Sequence, residues 1–350
     1  MPKVTVIIPN YNHSHFLEKR IQSVLNQTYQ DFEVIYLDDA STDNSHEVFA
    51  KFTGDKRIRT IYNQINSGSP FKQWNKGIRE AKGEYVWIAE SDDYADEHLL
   101  AELVGRLDKY PKVGIAYCQS WKVDENDNIL SSMLERTADL DEQRWKQDFV
   151  NEGKDECSRY LIFKCTVPNG SAVLIRRSVY EKVEGADENM KYTGDWILWV
   201  KMLLISDIAF VAQPLNYYRK HRNSLTNDSL KDGTLLAEYC QIVSYISHSI
   251  DIPEYLLEEI LNRIIDWWLT TILHRYNRNL NRNLKIYRIL SKINQRITHR
   301  LIIFWLFKIA LKKSNVAVQQ VYKVFPEIAS RSGEPKQGIR KSEASGGRYS

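Results

Sequence analysis

The stretch that decides the fold is Val4-Thr5-Val6-Ile7-Ile8-Pro9-Asn10-Tyr11-Asn12, and a second apolar run, 34–37, ends on Asp38-Asp39. Continuous apolar runs of this kind are typical of strands that are buried on both faces of a parallel sheet. Pro9 predicts that the first strand ends at Ile8, before a polar loop. Ligands of open parallel sheets bind beyond the carboxyl ends of the strands. The sequence therefore predicts that 10–12 and Asp38-Asp39 lie side by side at a ligand-binding edge.

The pattern over residues 1–118 alternates between strand and helix. Strands are predicted at 4–8, 34–37, 57–62, 85–89 and 114–118, and helices at 14–27, 44–52, 70–81 and 96–109. This order predicts an α/β fold with a mostly parallel sheet, right-handed crossovers and flanking helices.

The second part of the chain is less regular. Residues 124–158 are polar and predict a long loop with at most one short helix, followed by a strand at 172–175 and a helix at 195–205. From 235 to 325 the pattern is helical throughout. We therefore predict an α/β domain at 1–230, a helical C-terminal extension at 231–329 and a disordered tail at 330–350.

Composition is that of an ordinary globular protein with an uneven distribution of charge. The 350 residues carry a net charge of +3, yet 263–313 hold twelve basic residues and one acid, Asp266. No apolar segment reaches the ~20 residues of a spanning helix. The four cysteines form no paired motif, which favours reduced thiols in a cytoplasmic protein, and 1–3 lead straight into a strand without a signal-peptide pattern.

Three carboxylates follow the strand predicted at 85–89, in Glu90-Ser91-Asp92-Asp93. Carboxylates this close repel one another, and a divalent cation relieves that cost. Mg²⁺ is typically held by one or two carboxylates together with substrate phosphates. The plainer alternatives are a solvated acidic turn or a helix N-terminus. The position beside Asp38-Asp39 at the same sheet edge favours the metal site.

These segments together resemble the family 2 glycosyltransferases of the GT-A fold, the fold of nucleotide-diphospho-sugar transferases. The order and spacing of the pieces carry the resemblance, which extends more loosely to about residue 225. The matching pieces are Val4–Asn12, 25–28, 32–34, 38–43, Asn66-Ser67-Gly68, Asn75-Lys76-Gly77, 81–85 and Glu90-Ser91-Asp92-Asp93.

The resemblance implies roles in nucleotide binding for several of these residues. Asp39 is expected to accept a hydrogen bond from the base, uracil or thymine in the usual case. The other residues assigned to nucleotide binding are Pro9, Tyr11, Asn12, Asn66, Asn75 and Asp92.

The resemblance also implies a divalent metal, Mg²⁺ or Mn²⁺. Asp92 stands at the metal-binding position of the family's acidic motif, with Asp93 beside it. Glu90 replaces the usual first Asp, and we expect it to contact the ribose, a water or the sugar. His221 is expected to be a further metal ligand or a phosphate donor, and Arg219 or Arg222 a phosphate contact. A solvated basic loop is the alternative for 219–224.

Gly194-Asp195-Trp196 resembles the segment that carries the family's general base, although the family often has Glu where this chain has Gly194. Inverting transfer needs a carboxylate within hydrogen-bond reach of the acceptor hydroxyl, and Asp195 is the predicted base. An ordinary helix N-cap is the alternative. We expect Trp196 and Asn169 to contact sugar or acceptor.

The basic residues of 275–313 recur at helical spacing opposite an apolar set. This pattern is typical of a helix that lies on an anionic membrane surface. The alternative is a helix packed on the catalytic domain with a solvated basic face. No motif indicates nucleic-acid binding.

The acids at the predicted sheet edge and the resemblance together predict a glycosyltransferase. The resemblance implies that it inverts the anomeric carbon and moves a sugar from a nucleoside-diphosphate sugar, UDP- or dTDP-linked, to an acceptor hydroxyl. By resemblance, the acceptor is a saccharide or lipid-linked saccharide in cell-surface polysaccharide assembly, and the enzyme is cytoplasmic or peripheral on the inner face of the cell membrane. A nucleotidyltransferase is disfavoured because the loop at 10–14 has no glycine. A non-catalytic nucleotide-sugar-binding scaffold is the other alternative.

Overall fold

A computed structural model describes residues 1–167, 169–221, 233–273 and 279–311. The strands are β1 (Val4–Asn10), β2 (Phe32–Asp38), β3 (Ile58–Tyr62), β4 (Tyr85–Ile88), β5 (Tyr94–Ala95), β6 (Val113–Val123), β7 (Ile129–Ser132), β8 (Phe149–Asn151), β9 (Val173–Arg176) and β10 (Asp207–Arg219). The helices are α1 (Ser14–Leu25), α2 (Ser45–Ala50), α3 (Pro70–Glu80), α4 (Leu99–Lys109), α5 (Gly153–Glu156), α6 (Arg177–Lys182), α7 (Gly194–Leu203), α8 (Thr234–Ser249), α9 (Glu254–Leu273), α10 (Leu280–Ile293) and α11 (Ile297–Leu311).

The first half of the sheet is parallel, as the sequence predicts. Its order is β3-β2-β1-β4, with Val4 opposite Phe32 of β2 and Tyr85 of β4. β2 and β3 extend the sheet on one side of β1, and β4 then pairs with the other side of β1. In open α/β sheets this switch point is where the ligand crevice forms.

The second half of the sheet is mixed. The order continues β4-β9-β6-β10-β5, and β9 pairs antiparallel with both β4 and β6. β6 and β10 are parallel, and the short β7 and β8 add to them antiparallel. The structure is therefore an α/β fold with a central sheet between helices, in which the antiparallel pairs supplement the predicted parallel ones.

The prediction that Pro9 ends the first strand is wrong, because β1 continues to Asn10. The carbonyl of Ile7 accepts a bond from the N–H of Ala89, so the backbone N–H and C=O groups of every second residue, counted from Ile7, are directed towards β4. Pro9 is one of these residues, but the pairing with β4 ends at Ile7, opposite Ile88. The missing N–H of proline thus costs no hydrogen bond at this position.

Apolar residues fill both faces of the sheet. Val4, Val6 and Ile8 pack with α1, α2 and α4, whereas Ile7 packs with α3 and α7 on the other face. The cluster that contains Ile7 continues without interruption into α8, α9 and α10. The helical extension therefore shares one hydrophobic core with the sheet.

The polar segment 124–158 holds more regular structure than the sequence predicts. It contributes β7, β8 and α5, since pairing with β6 and β10 stabilises strands too short to be recognised alone. All four cysteines are free and buried. Among the described residues, no helix has both the length and the apolar content to cross a membrane. The predicted tail, 330–350, lies outside the described residues.

Candidate active site

Asp39 is the centre of a polar pocket at the carboxyl edge of β2. The residue is 4% exposed, and its carboxylate accepts bonds from the backbone N–H and hydroxyl of Ser67 at 2.7–3.0 Å. The side-chain amides of Asn63 and Gln73 donate to it at 2.6 and 2.9 Å. Asp39 therefore ties the 63–69 loop and α3 to the edge of the sheet.

Asp38 and Asn12 shape the loops on either side of this pocket. Asp38 accepts bonds from Asn10 and from the N–H of Ser41 at 3.1 and 2.9 Å. Burial would raise the pKa of Asp38, but these and further hydrogen bonds outweigh it and lower that pKa. Asn12 has a φ of 56°, and its side-chain oxygen accepts the N–H of Thr42 at 2.7 Å. The polar side chains at the predicted sheet edge therefore hold the loops after β1 and β2 in place by their own hydrogen bonds.

Three potential metal ligands converge beyond β4. The Nε2 of His221 lies 3.0 Å from an Asp92 carboxylate oxygen, and one donor atom from each of His13, Asp92 and His221 falls within 4.8 Å of the others. Burial lowers the pKa of His13, which keeps its imidazole available as a ligand. Burial opposes the charge on Asp92, but its hydrogen bond with His221 lowers the pKa of Asp92. This group of one oxygen and two nitrogen donors is suited to a divalent cation.

Asp93 points away from that group into the protein. Its two oxygens accept the backbone N–H of Arg219 at 2.8 Å and the side-chain amide of Asn169 at 3.0 Å. Arg219 is 2% exposed, and its Nε donates to the carbonyl of Asp92 at 2.7 Å. The predicted residues Asp93, Asn169 and Arg219 are therefore assembled behind Asp92 as its support.

A buried arginine lies under the acids. Arg20 is fully buried and donates from Nε to the carbonyl of Glu90 at 2.8 Å, whereas its two terminal nitrogens lack a partner among the described residues. Burial lowers its pKa to about 10, and the charges of Asp93 and Asp92 oppose that shift. Glu90 accepts the indole N–H of Trp74 at 2.7 Å, and burial, aided by the Asp92 charge, raises the pKa of Glu90 to about 8. Glu90 is thus poised to be protonated near neutral pH.

Asp195 lies in the first turn of α7, and its carboxylate accepts the N–H of Trp196 at 2.7 Å. Burial raises its pKa to about 6. The preceding Gly194 packs so closely on Phe71 of α3 that an added Cβ would lie only 2.4 Å from that ring. Phe71 in turn contacts Trp74, which binds Glu90. The start of α7 is therefore joined to the acids through α3, and that packing leaves no space for a larger residue at 194.

Two predicted residues are used elsewhere. Asn75 donates to the carbonyl of Ala186 and accepts the hydroxyl of Tyr180, at 2.9 and 2.6 Å, so the structure does not bring its side chain to Asp39. Trp196 is 8% exposed, and its indole donates to the carbonyl of Leu161 at 3.0 Å.

The other predicted residues stand near the edge. Pro9 lies inside β1, next to its last residue Asn10, Tyr11 is 45% exposed, and Asn66 accepts the N–H of Gly68 at 2.6 Å. Arg222 lies outside the described residues. No sequence pattern selects His13, Arg20 or Gln73, since each depends on partners distant along the chain, whereas Ser67 belongs to the segment Asn66-Ser67-Gly68 that the resemblance includes.

Comparison with known proteins identifies the class. The structure of the Staphylococcus aureus TarS fragment 1–349, in complex with UDP-GlcNAc, aligns with a TM-score of 0.63 at 18% identity and covers 85% of this chain and 82% of its own. A mannosyltransferase from Pyrobaculum calidifontis, in complex with GDP-Man and Mn²⁺, aligns at 0.55 and 16% identity over 94% and 86% of the two chains. Both likenesses establish the GT-A glycosyltransferase fold.

Sequence comparison gives the family. The model of glycosyl transferase family 2 matches residues 5–184. An uncharacterized glycosyltransferase of Rickettsia typhi is 31% identical over 242 residues, which are 68% of this chain and 69% of the relative. The glycosyltransferase GlyG of Streptococcus pneumoniae is 28% identical over 63% of this chain and 72% of its own. This chain belongs to glycosyl transferase family 2 and is a glycosyltransferase, which excludes the nucleotidyltransferase alternative.

Proposed function

We propose that the protein transfers a sugar from a nucleoside-diphosphate sugar to an acceptor hydroxyl with inversion at the anomeric carbon. The observation that carries this proposal is the meeting of Asp92, His221 and His13 at the sheet edge that also holds the Asp39 pocket. An inverting reaction needs a base opposite the leaving group, and Asp195 has the required carboxylate.

In this proposal the base of the nucleotide binds beside Asp39, with Tyr11, Asn12 and Asn66 around it. The donors from Asn63, Ser67 and Gln73 already occupy the carboxylate of Asp39. A carboxylate offers about four lone-pair positions, so a base N–H has to displace one of these donors. A UDP- or dTDP-sugar is favoured, in keeping with the UDP-GlcNAc bound by the TarS neighbour.

The donor set also supports a choice between the two predicted metals. Mg²⁺ prefers an all-oxygen environment, whereas imidazole favours transition metals, so Mn²⁺ suits His13, Asp92 and His221 better. Such an ion, when bound, neutralises charge on the leaving pyrophosphate. Asp93 and Arg219 would hold the Asp92 backbone in place for it.

The chain's own residues account for the proton and the new bond. The carboxylate of Asp195 takes the proton of the acceptor hydroxyl, whose oxygen forms a bond to the anomeric carbon. The bond from that carbon to the phosphate oxygen breaks, and the nucleoside diphosphate leaves with the electron pair. A carboxyl pKa of about 6 leaves most Asp195 ionised at neutral pH while keeping it a stronger base than an ordinary aspartate.

Donor recognition can be tested by thermal shift. UDP-GlcNAc, dTDP-glucose and GDP-mannose are each added with and without Mn²⁺, and we expect a UDP- or dTDP-sugar to raise the Tm most, and only with Mn²⁺. Ligand at 100 times its Kd stabilises the folded state by about 2.7 kcal/mol. Release of the nucleoside diphosphate, measured with the same donors, separates an enzyme from a non-catalytic scaffold.

The Asp39→Asn variant checks where the base binds. Calorimetry should show that it weakens binding of UDP more than binding of pyrophosphate, because only UDP has a base to contact residue 39. Equal losses for both ligands would contradict the proposed base site. Stabilisation by no nucleotide sugar, with or without Mn²⁺, would contradict the proposed function.

We further propose that the helical extension docks on an anionic membrane surface at the inner face of the cell membrane, near a lipid-linked saccharide acceptor of cell-surface polysaccharide assembly. α10 exposes Leu280, Leu284 and Tyr287 on one stripe, at 71%, 41% and 36%. Its exposed basic residues, Lys285, Arg288 and Lys292, lie next to that stripe. Ile286 and Leu290 point into the core, so one face of the helix packs on the domain while the opposite face is exposed. Exposed Ile302, Ile303 and Trp305 of α11 add to the apolar surface.

Vesicle co-sedimentation tests this docking. The full chain should bind vesicles that contain phosphatidylglycerol, and Lys285→Glu/Arg288→Glu/Lys292→Glu should lower binding by about 100-fold or more, because each basic residue contributes about 1 kcal/mol. Reversal of Lys56, Lys109 and Lys146, exposed lysines outside the helical extension, is the matched control. Equal losses in both triple variants, or binding insensitive to salt, would favour helices that merely pack on the domain.

A further inference from the structure

The segment that leads into Asp195 is held by a buried acid from the helical extension. Glu238 of α8 is 5% exposed. Its carboxylate accepts the backbone N–H groups of Lys191, Tyr192 and Thr193 at 2.7, 3.0 and 3.0 Å. The Thr193 hydroxyl donates a fourth bond at 3.1 Å. A buried charge is costly unless it is fully hydrogen-bonded, and here three consecutive N–H groups and a hydroxyl satisfy it.

The next residue of α8 holds the other side of Asp195. The ring of Tyr239 stacks on that of Trp196, with centroids 5.2 Å apart and an interplanar angle of 24°. The Tyr239 hydroxyl donates to the carbonyl of Ile162 at 3.0 Å. Glu238 thus holds residues 191–193 ahead of Asp195, and Tyr239 packs on Trp196 after it. Both belong to an element beyond the part of the chain that the family model matches.

We propose that Glu238 is a positioning residue for the reaction, which sets both the place and the charge environment of Asp195. The backbone of 191–193 leads directly into the first turn of α7, so its position decides where the Asp195 carboxylate lies. Misplacement of a catalytic group by ~1 Å can cost about 10²-fold in rate. This inference rests on the proposed role of Asp195 as base.

The titratable groups that interact with Asp195 come from three parts of the chain. Burial is the largest cause of the rise in the pKa of Asp195 to about 6. Arg136, at the end of the short 3₁₀ helix Met133–Arg136, lowers that pKa, and Glu238 raises it. Burial raises the pKa of the Cys165 thiol, and the charge of Asp195 adds to that rise. Loss of the Glu238 charge leaves Arg136 less opposed, so the pKa of Asp195 should fall and not rise.

The test uses Glu238→Gln in the full chain, with Glu238→Asp as the charge-preserving variant. The glutamine keeps one acceptor oxygen but presents an NH₂ group where the other oxygen receives a backbone N–H. We expect the turnover number to fall at least about tenfold while the KM for the donor is unchanged, because the donor site is elsewhere. The ¹³C resonance of the Asp195 carboxyl, assigned by its absence in Asp195→Asn, should titrate at a lower pH in Glu238→Gln. Glu238→Asp should restore the titration and part of the rate.

The matched control is Glu156→Gln. Glu156 of α5 is also a buried glutamate, but its carboxylate pairs with Arg144 at 2.6 Å. Its variant should lose stability without moving the Asp195 titration. An unchanged titration and turnover in Glu238→Gln would overturn the proposal, as would equal changes in both variants. Failure of the proposed base itself is distinguished separately, since Asp195→Asn would then keep the wild-type rate.

Discussion

Asp92→Asn is expected to lower metal-dependent turnover by about 10³-fold. A bound metal ion stabilises the charge of the transition state by several kcal/mol, and each ~1.4 kcal/mol that is lost lowers the rate about tenfold. The side chain of Asp92 is 21% exposed, so the substitution removes little from the core. Asparagine keeps an oxygen that can still bond to His221, but it lacks the charge that favours a cation. Calorimetric titration of Mn²⁺ in the presence of UDP should show the matching loss of metal affinity, with the Tm of the unliganded protein near that of the wild type.

Asp96→Asn is the control for this result. Asp96 follows β5, pairs with exposed His98 at 3.1 Å, and is itself 34% exposed, so it is an acid of the same segment without a place in the site. Its variant should keep Mn²⁺ binding and turnover. Near-normal turnover of Asp92→Asn in excess EDTA would contradict the metal assignment, and so would equal losses in the two variants.

Sequence patterns predict the parallel half of the fold because the information there is local. Each of β1, β2 and β4 is an apolar run followed at once by polar residues, and burial on both faces demands that composition. The same reasoning places Asp39 and Asp92 at one edge, since parallel neighbours end together. Pro9 suggests a strand end that is too early. A backbone N–H at this position would be directed towards β4, whose pairing with β1 has already ended at Ile7, so a proline is tolerated there.

The second half depends on pairing that no single segment specifies. β8 has three residues, of which Val150 is 42% exposed, and it forms because β10 supplies its hydrogen bonds. Isolated short strands carry no periodicity to recognise. The antiparallel insertion of β9 between β4 and β6 is likewise a tertiary choice.

The site divides in the same way. An acidic cluster after a strand has a sequence signature, so Asp92 and Asp93 can be named in advance. His13 has none, because its significance comes from His221, which approaches it through the fold with ring centroids 5.5 Å apart. The bonds of Glu238 to 191–193 are equally invisible before folding. Roles that arise from long-range contacts require the structure.

Asp195→Asn is expected to lower the turnover number by about 10² to 10⁴, the contribution of a positioned general base. Asparagine still accepts the N–H of Trp196, which keeps the first turn of α7 intact, but it cannot take a proton. Donor binding should remain near that of the wild type, because the Asp39 pocket and the Asp92 group are built by other elements. The loss should therefore appear in the turnover number and not in the KM for the donor.

The pH dependence gives an independent check. Asp195 must be ionised to act, and burial raises its pKa to about 6, so wild-type turnover should fall as the pH drops through that value. The residual activity of Asp195→Asn should lack this acidic limb, whereas Asp187→Asn, an acid of the preceding loop whose carboxylate accepts the N–H of Asn189, should keep it. A variant at 195 that binds donor poorly yet turns over normally would place the residue in binding. The proton would then have to go to another group. Burial raises the pKa of Glu90 to about 8, so Glu90 would be mostly protonated at neutral pH and poorly suited to accept it.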